Sequence, residues 1–140
     1  MNAPTALPAT MEQQRARFAL ERISSYQQMD KTRQAELRRY ITQIPALIHM
    51  NGLGQAMAFY RSKGEGSSHD MIYQLLGDWL CQQPAGRVFD GTDKDLLRAI
   101  TSSDMFRYMA AQNEALALLE WLKKFATALL QKEEHDAAPL

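Results

Sequence analysis

The strongest constraint on the fold is a long stretch near the end of the chain, residues 104–131, that contains neither glycine nor proline. Apolar residues recur within it at alternating steps of three and four, which places them on one face of an α-helix. Further apolar residues widen this face, as expected for a helix packed into a domain. The stretch therefore predicts a long C-terminal helix, capped at its start by Ser103 or Thr101. Its predicted buried face comprises Tyr108, Ala111, Ala115, Leu118, Leu119, Trp121, Leu122, Phe125, Ala126, Leu129 and Leu130.

The composition of the whole chain favours helices over sheets. Valine and isoleucine together number only seven, whereas alanine and leucine number thirty-six. β-Branched residues favour strands, and alanine and leucine favour helices. A length of 140 residues suits one domain whose core needs no disulfide or metal to be stable. We therefore predict an all-α fold, a single-domain helical bundle of about five to seven helices with a long C-terminal helix.

Two helical segments are predicted in the first third of the chain. Thr10-Met11-Glu12-Gln13 fits a capping box, in which a threonine and a glutamine side chain each bond the backbone of the other residue. A helix follows it, and a second helix covers residues 31–44. The predicted inward residues of these two helices are Ala16, Ala19, Leu20, Ile23, Tyr26, Leu37, Tyr40, Ile41 and Ile44.

Pro45 and Asn51-Gly52 are predicted to interrupt the chain after these two helices. A proline disfavours helical geometry in the residue before it, so we expect a break or a kink at Ile44, followed by a short turn. Asn-Gly is a stop signal, and a further helix is then predicted over residues 53–61. Leu53, Met57 and Tyr60 form its apolar side.

Glycine and proline also divide the second half of the chain. Residues 64–68 and 82–91 are predicted to be loops, because both contain helix-breaking residues. Ser67 or Ser68 is expected to cap the helix between them, and Thr92 to cap a short helix after the second loop.

The predicted domain organisation is a flexible N-terminal arm (1–10), a helical domain (11–131) and a flexible C-terminal tail (132–140). The N-terminus lacks the pattern of a signal peptide, and no apolar run reaches the roughly 18 to 20 residues that a membrane span requires. The single cysteine, Cys81, cannot form an internal disulfide and is expected to be buried as a small hydrophobic residue. We therefore expect a soluble, cytoplasmic protein with no membrane partner.

The charge of the chain is divided between its two halves. The formal net charge is zero, but residues up to Lys63 carry +5 and residues from Gly64 onward carry −5. A basic half suits a polyanion, and opposite halves suit self-association or docking on an unlike partner. Scattered, solvated charge is an equally good interpretation.

The sequence offers no recognisable metal, nucleotide or catalytic site. His49, His69 and His135 each lack a second histidine or cysteine one helical turn away, the spacing that zinc sites use. The acidic loop around residues 90–95 fails the EF-hand pattern, and Gly52-Leu53-Gly54 lacks the third glycine of a dinucleotide fingerprint. Neither a hydrolase nucleophile elbow nor a P-loop occurs. We therefore expect no catalytic residue, no metal and no cofactor.

Clusters of basic residues are the better indication of function. Arginine and lysine neutralise phosphates, and aromatic rings beside them can accept bases. Contact with an acidic protein or with solvent alone remains an alternative. The three clusters are Arg38-Arg39, Arg61-Ser62-Lys63 and Lys123-Lys124, close in sequence to Tyr40, Tyr60 and Trp121.

Two stretches of the sequence, taken together, resemble a known family. The first is a proline, an apolar run, Asn51-Gly52-Leu53 and then Phe59-Tyr60-Arg61-Ser62-Lys63. The second is Trp121-Leu122-Lys123-Lys124-Phe125 within an apolar helix. In order and spacing the chain is similar, from about Met11 to Leu130, to the small helical subunit of the type III-B CRISPR RNA-guided effector, the Cmr complex.

The resemblance implies a non-catalytic, structural role in antiviral defence. Small subunits of this family are all-α, and several copies stack into a minor filament beside the backbone subunits. They line the channel in which CRISPR RNA pairs with target RNA, while cleavage belongs to other subunits. The implied partners are those subunits, both RNAs and further copies of the chain itself.

The resemblance also assigns roles to individual residues. Asn51, Gly52 and Leu53 would form a helix-turn signature, and Phe59 and Trp121 would lie in the core. Contacts with the RNA backbone or with other subunits would come from Arg61, Lys63, Lys123 and Lys124, to which the basic clusters add Arg38 and Arg39.

Two other functions fit the residues without the resemblance. A free-standing helical adaptor or regulator would bind a protein partner through an amphipathic groove. An unrecognised enzyme would need a cleft with strongly perturbed titratable groups, for which the sequence contains no indication.

Overall fold

The computed structural model describes residues 7–89 and 95–133, and in this part of the chain it contains five helices and no strand. The helices are α1 (Met11–Tyr26), α2 (Lys31–Arg61), α3 (Ser68–Cys81), α4 (Leu96–Ser102) and α5 (Met105–Leu129). The prediction of an all-α bundle with a long C-terminal helix is confirmed. Most of the predicted arm and tail, the acidic residues 90–94 and the predicted cap at Thr92 lie outside the described residues.

Short polar side chains define the starts of the helices. The capping box at Thr10 is confirmed: Gln13 N donates to Thr10 Oγ1 at 3.0 Å, and Thr10 N donates to the Gln13 side chain at 2.8 Å. Ser67 caps α3 as predicted. The predicted cap of α5 at Ser103 or Thr101 is wrong, because Asp104 accepts the Arg107 amide at 2.9 Å. A carboxylate at this place also interacts favourably with the helix dipole.

Pro45 does not interrupt α2, and the predicted break at Ile44 is therefore wrong. The helix continues through the proline, which removes one backbone hydrogen bond. Ile41, Ile44 and Ile48, the apolar residues around the proline, are completely buried. Tertiary packing on both sides of Pro45 outweighs the local preference against helix.

The break in α2 is at Gly52, where φ is 84° and ψ is 161°. Two N–H groups freed by the break are bound by α5: Leu53 N donates to the Gln112 side chain and Gly54 N to the Tyr108 hydroxyl, both at 2.9 Å. The second arm of α2 (53–61) then returns alongside the first arm (31–51), and Tyr60 bonds back to the carbonyl oxygen of Tyr40. The predicted stop and restart around Gly52 are thus confirmed, although the sequence did not indicate the angle.

The core lies between α5 and the helices packed on it, chiefly α1 and α2, and α3 also packs on α2. Cys81 is buried as predicted. Leu20 was expected to point inward, but 43% of it is exposed. In the described ranges, none of the helices is both long enough and apolar enough to span a membrane. Predicted inward residues that are fully buried include Ala19, Ile23, Leu37, Ile41, Ile44, Leu53, Met57, Ala111, Ala115, Leu118, Leu119, Leu122 and Ala126.

A candidate nucleic-acid interface

Ion pairs inside the domain connect the basic first half of the sequence with the acidic second half. Among residues 7–89 and 95–133, four pairs join an arginine from the basic half to a carboxylate from the acidic half. Part of the opposite charge of the two halves is therefore used in ion pairs within the domain. The four pairs are Arg15–Glu114, Arg22–Asp78, Arg39–Glu133 and Arg61–Asp70.

Arg61, a predicted RNA contact, holds a buried carboxylate. Its guanidinium nitrogen Nη1 lies 3.6 Å from Oδ1 of Asp70, whose side chain is only 5% exposed. That oxygen finds no hydrogen-bond donor among the described residues. Removing one partner of a buried pair leaves an uncompensated charge. A charge reversal at Arg61 would therefore damage the fold as well as any contact with RNA.

Lys63 and Phe59 lie together on the outside of the second arm of α2. The Lys63 ammonium is 4.5 Å from the centroid of the Phe59 ring. The prediction that Phe59 belongs to the core is wrong, because 48% of the residue is exposed. The arm buries the face carrying Leu53, Met57 and Tyr60, and Phe59 falls outside that face.

An aromatic row, formed by Tyr40, Phe59, Tyr60 and His69, connects the two arms of α2 with the start of α3. His69 stacks on Tyr40 with ring centroids 3.7 Å apart and meets Tyr60 edge-on at 4.8 Å. Phe59 extends the row, 6.2 Å from Tyr60. The sequence did not indicate that His69 stacks on an aromatic ring, because Tyr60 and Tyr40 lie nine and twenty-nine residues before it.

Basic side chains surround the aromatic row. The Arg39 guanidinium lies 4.9 Å from the Tyr40 ring centroid, and Lys63 lies over Phe59 at the other end. Burial lowers the pKa of His69, and the charges of Lys63 and Arg39 lower it further, against an opposite effect of Glu36. Two cations thus flank the row, and one of them, Arg39, is paired with Glu133. Between them His69 is a weaker base than a free imidazole.

A second surface, the cationic groove, lies between the first arm of α2 and the end of α5. Two adjoining concavities of about 370 and 340 Å³ share Arg39 and Lys132. A third, of about 480 Å³, is bounded by Lys123 and Lys124 and shares Thr127 with the second. The cationic groove contains Lys31, Arg38, Arg39, Lys123, Lys124 and Lys132.

The structure thus brings four of the six predicted basic contacts to one groove, and Arg39 belongs to both surfaces. Carboxylates reduce the positive charge of the groove, since Glu133 pairs with Arg39 and Glu120 with Lys124. The Lys124–Glu120 pair is about 70% exposed on both sides, so it holds Lys124 only weakly. Lys31 and Lys132 were missed in the sequence because each stands alone there.

Leu53, Gly52 and Trp121, which were also predicted as site residues, contribute to the fold. Leu53 is fully buried, and Gly52 forms the break described above. Trp121 is half-buried rather than enclosed in the core, and its indole N–H donates to Glu12. Among the described residues no group of three His, Cys, Asp or Glu side chains could hold a metal ion.

Comparisons with known proteins agree on one family. The family model described as "CRISPR-associated protein (Cas_Cmr5)" matches residues 11–129. The CRISPR system Cmr subunit Cmr5 of Thermus thermophilus is 31% identical over 97 residues, which are 69% of this chain and 77% of the relative. The crystal structure of a CRISPR-associated Cmr5 family protein from the same organism matches with a TM-score of 0.71 and 27% identity, covering 88% of this chain and 100% of that one. With the sequence, the fold and the family model in agreement, the chain belongs to the Cmr5 family of CRISPR-associated proteins.

Proposed function

We propose that the chain is a non-catalytic structural subunit of a type III-B Cmr effector complex and acts in the cytoplasm. Several copies stack into a minor filament beside the backbone subunits, and together they line the channel in which CRISPR RNA pairs with target RNA. Membership of the Cmr5 family supports the assignment to the complex. The grouping of basic side chains in the cationic groove supports the RNA-facing role.

The cationic groove has the chemistry that an RNA backbone requires. Cations that neutralise phosphates release counterions, which makes binding strong at low salt and weak at high salt. Lys123 and Lys124 are exposed and can reach phosphates without breaking a buried contact. Arg38 is less free, since its guanidinium donates to the Leu130 carbonyl oxygen at 3.4 Å. We therefore assign the main phosphate contacts to Lys123 and Lys124.

Co-expression with the other Cmr subunits and a CRISPR RNA tests the assignment to the complex. The chain should elute with the complex in gel filtration, and it should do so in several copies. Elution as a separate small protein, in the presence of every other subunit and the RNA, would contradict the proposal.

Reversing Lys123 and Lys124 to Glu tests the assignment of the groove. The affinity of the complex for target RNA should fall about tenfold or more at low salt, with a shallower dependence on salt concentration. Arg87→Glu combined with Arg98→Glu, a double reversal at two exposed residues outside the groove, is the control for net charge and should change little. Unchanged binding by the double variant would show that the groove does not face RNA.

A second candidate function is that of a free-standing adaptor for a protein partner. Met105, Phe106 and Met109 at the start of α5 are 65%, 75% and 56% exposed, and exposed apolar groups of this size suit protein contacts. An adaptor would keep its partner after ribonuclease treatment and would not require the other Cmr subunits. Capture of one partner under those conditions would favour this function.

A further inference from the structure

We propose that Phe59 and Lys63 form a site at which an unpaired RNA base stacks on the Phe59 ring while Lys63 binds the adjoining phosphate. The inference rests on the proposed function and adds a mode of recognition to it. The cationic groove suits any RNA backbone, whereas a ring-stacking site distinguishes unpaired from paired RNA.

The exposure of Phe59 is the first observation that supports this site. A large aromatic ring that is 48% exposed contributes little to the core of this domain. Its neighbour over the ring is a cation, the Lys63 ammonium at 4.5 Å. A cation–π contact at an exposed position is weak, so a base can take the place of the ammonium.

The rigidity of the second arm of α2 is the second observation. Tyr60, the next residue, is 2% exposed and donates its hydroxyl to the Tyr40 carbonyl oxygen at 2.8 Å. The start of the arm is held by the bonds from Leu53 and Gly54 to α5. A ring presented on a fixed element loses little conformational entropy when a ligand binds.

The charges around the ring favour RNA over an apolar protein segment. Lys63 lies over Phe59, and Arg39 lies at the other end of the aromatic row. Burial lowers the pKa of the His69 imidazole, and the charges of Lys63 and Arg39 lower it further, against an opposite effect of Glu36. Arg39 already has Glu133 as its counter-charge, so the argument rests on Lys63. An apolar partner would cover the Lys63 ammonium without supplying a counter-charge, whereas a nucleotide supplies a base for the ring and a phosphate for the ammonium.

Binding of short fluorescent RNAs to the full chain and to its Phe59→Ala variant tests the inference. The probes are a single-stranded oligonucleotide, a duplex of the same sequence and the same single strand with abasic residues. The variant should bind the single strand about tenfold more weakly, with an unchanged salt dependence. It should bind the duplex and the abasic strand as the unmodified chain does, and Phe59→Trp should restore the affinity.

Phe106→Ala is the matched control, because it removes an even more exposed phenylalanine from another part of the surface. An equal loss in this control, or an equal loss of Phe59→Ala on the abasic strand, would overturn the stacking site. Loss of co-elution with the other subunits, with RNA affinity unchanged, would make Phe59 a protein contact and would overturn it as well.

The lysine variants separate this inference from the proposed function. If reversal of Lys123 and Lys124 weakens binding and Phe59→Ala does not, the stacking site is wrong and the RNA-facing groove stands. If neither the unmodified chain nor the assembled complex binds any of the RNAs, both fail.

Discussion

Gly52 combines φ of 84° with ψ of 161°, a region of backbone space that is almost restricted to glycine. An added β-carbon would also lie 3.0 Å from the Tyr108 hydroxyl oxygen. That hydroxyl accepts the Gly54 N–H, so it cannot move away without breaking a hydrogen bond. Torsional strain and crowding therefore act together at this one residue.

Gly52→Ala should lower the free energy of unfolding by about 2 to 3 kcal/mol, measured by urea denaturation. Gly64→Ala is the control, since φ there is 102° but an added β-carbon would meet no described atom within 4 Å. The control should lose about 1 kcal/mol from strain alone. Equal losses in the two variants would show that crowding against Tyr108 is unimportant.

His69 should make the stability of the domain depend on pH. Burial and the charges of Lys63 and Arg39 lower its pKa in the folded chain, while Glu36 opposes them, so the unfolded chain binds a proton more readily. This contribution to stability is present above the unfolded pKa of about 6.5 and is lost as the pH falls below it.

His69→Phe keeps an aromatic ring on Tyr40 and removes the titrating group. Urea unfolding at pH 7 and pH 5.5 should show a smaller loss on acidification for this variant than for the unmodified chain. His49→Gln, a change on the exposed surface of α2, should keep the original loss. If His69→Phe loses as much stability as the unmodified chain, other groups cause the pH dependence.

Residue patterns predicted buried positions well, but the interpretation of the sequence failed at two instructive places. The periodicity of α5 identified its buried face, because apolar spacing directly reflects helix geometry. Phe59 was placed in the core by the family resemblance, whereas the apolar spacing of Leu53, Met57 and Tyr60 did not include it. The carboxylate partner of Arg61 was also missed, since ion pairs between distant residues leave no local pattern.

At the scale of the helix, tertiary packing overrides the local backbone preference at one place in α2 and agrees with it at another. Pro45 is the stronger helix breaker, yet α2 continues through it between fully buried isoleucines. Gly52 permits a backbone that other residues avoid, and the break occurs there. The sequence indicated both places as interruptions. Burial of the residues around Pro45 favours a continuous helix there, and the hydrogen bonds from Leu53 and Gly54 to α5 stabilise the break at Gly52.

Tyr108→Phe tests how much α5 contributes to the break. The hydroxyl binds the Gly54 N–H, and its removal leaves a part-buried donor without this acceptor. We expect a loss of about 1 to 2 kcal/mol in urea unfolding. Tyr60→Phe, which loses only the donation to the Tyr40 carbonyl oxygen, offers a comparison on the same scale. Full stability of Tyr108→Phe would mean that the break persists without this bond.

At the scale of the whole molecule, ion pairs join the basic and acidic halves of the sequence. The most enclosed is Arg15–Glu114, with side chains 16% and 13% exposed. Two nitrogens of Arg15 donate to the two Glu114 oxygens at 2.7 and 2.9 Å, and the Trp79 indole donates to one of them at 3.0 Å. The hydrogen bond to Glu114 raises the pKa of Arg15, against an opposite effect of burial.

Glu114→Gln should therefore cost about 2 to 4 kcal/mol of unfolding free energy, because it leaves the enclosed Arg15 with only the exposed Glu12 as a counter-charge. Glu120→Gln on the same helix is the matched control. Its partner Lys124 is exposed, and the pair should be worth less than about 1 kcal/mol. A loss no larger than that of Glu120→Gln would mean that the Arg15–Glu114 pair contributes little to stability despite its burial.

The break at Gly52 separates Phe59 and Lys63, which follow it, from Tyr40 and Arg39, which precede it. The two amides just after the break, Leu53 and Gly54, donate to side chains of α5. A ligand that touches both arms of α2 therefore favours the folded-back arrangement of the arms. By thermodynamic reciprocity, that arrangement also favours binding of the ligand. The amide protons of Leu53 and Gly54 then become reporters of binding at a distance from the ligand. Slower hydrogen–deuterium exchange at these two amides would reveal occupancy of the surface without any label on it.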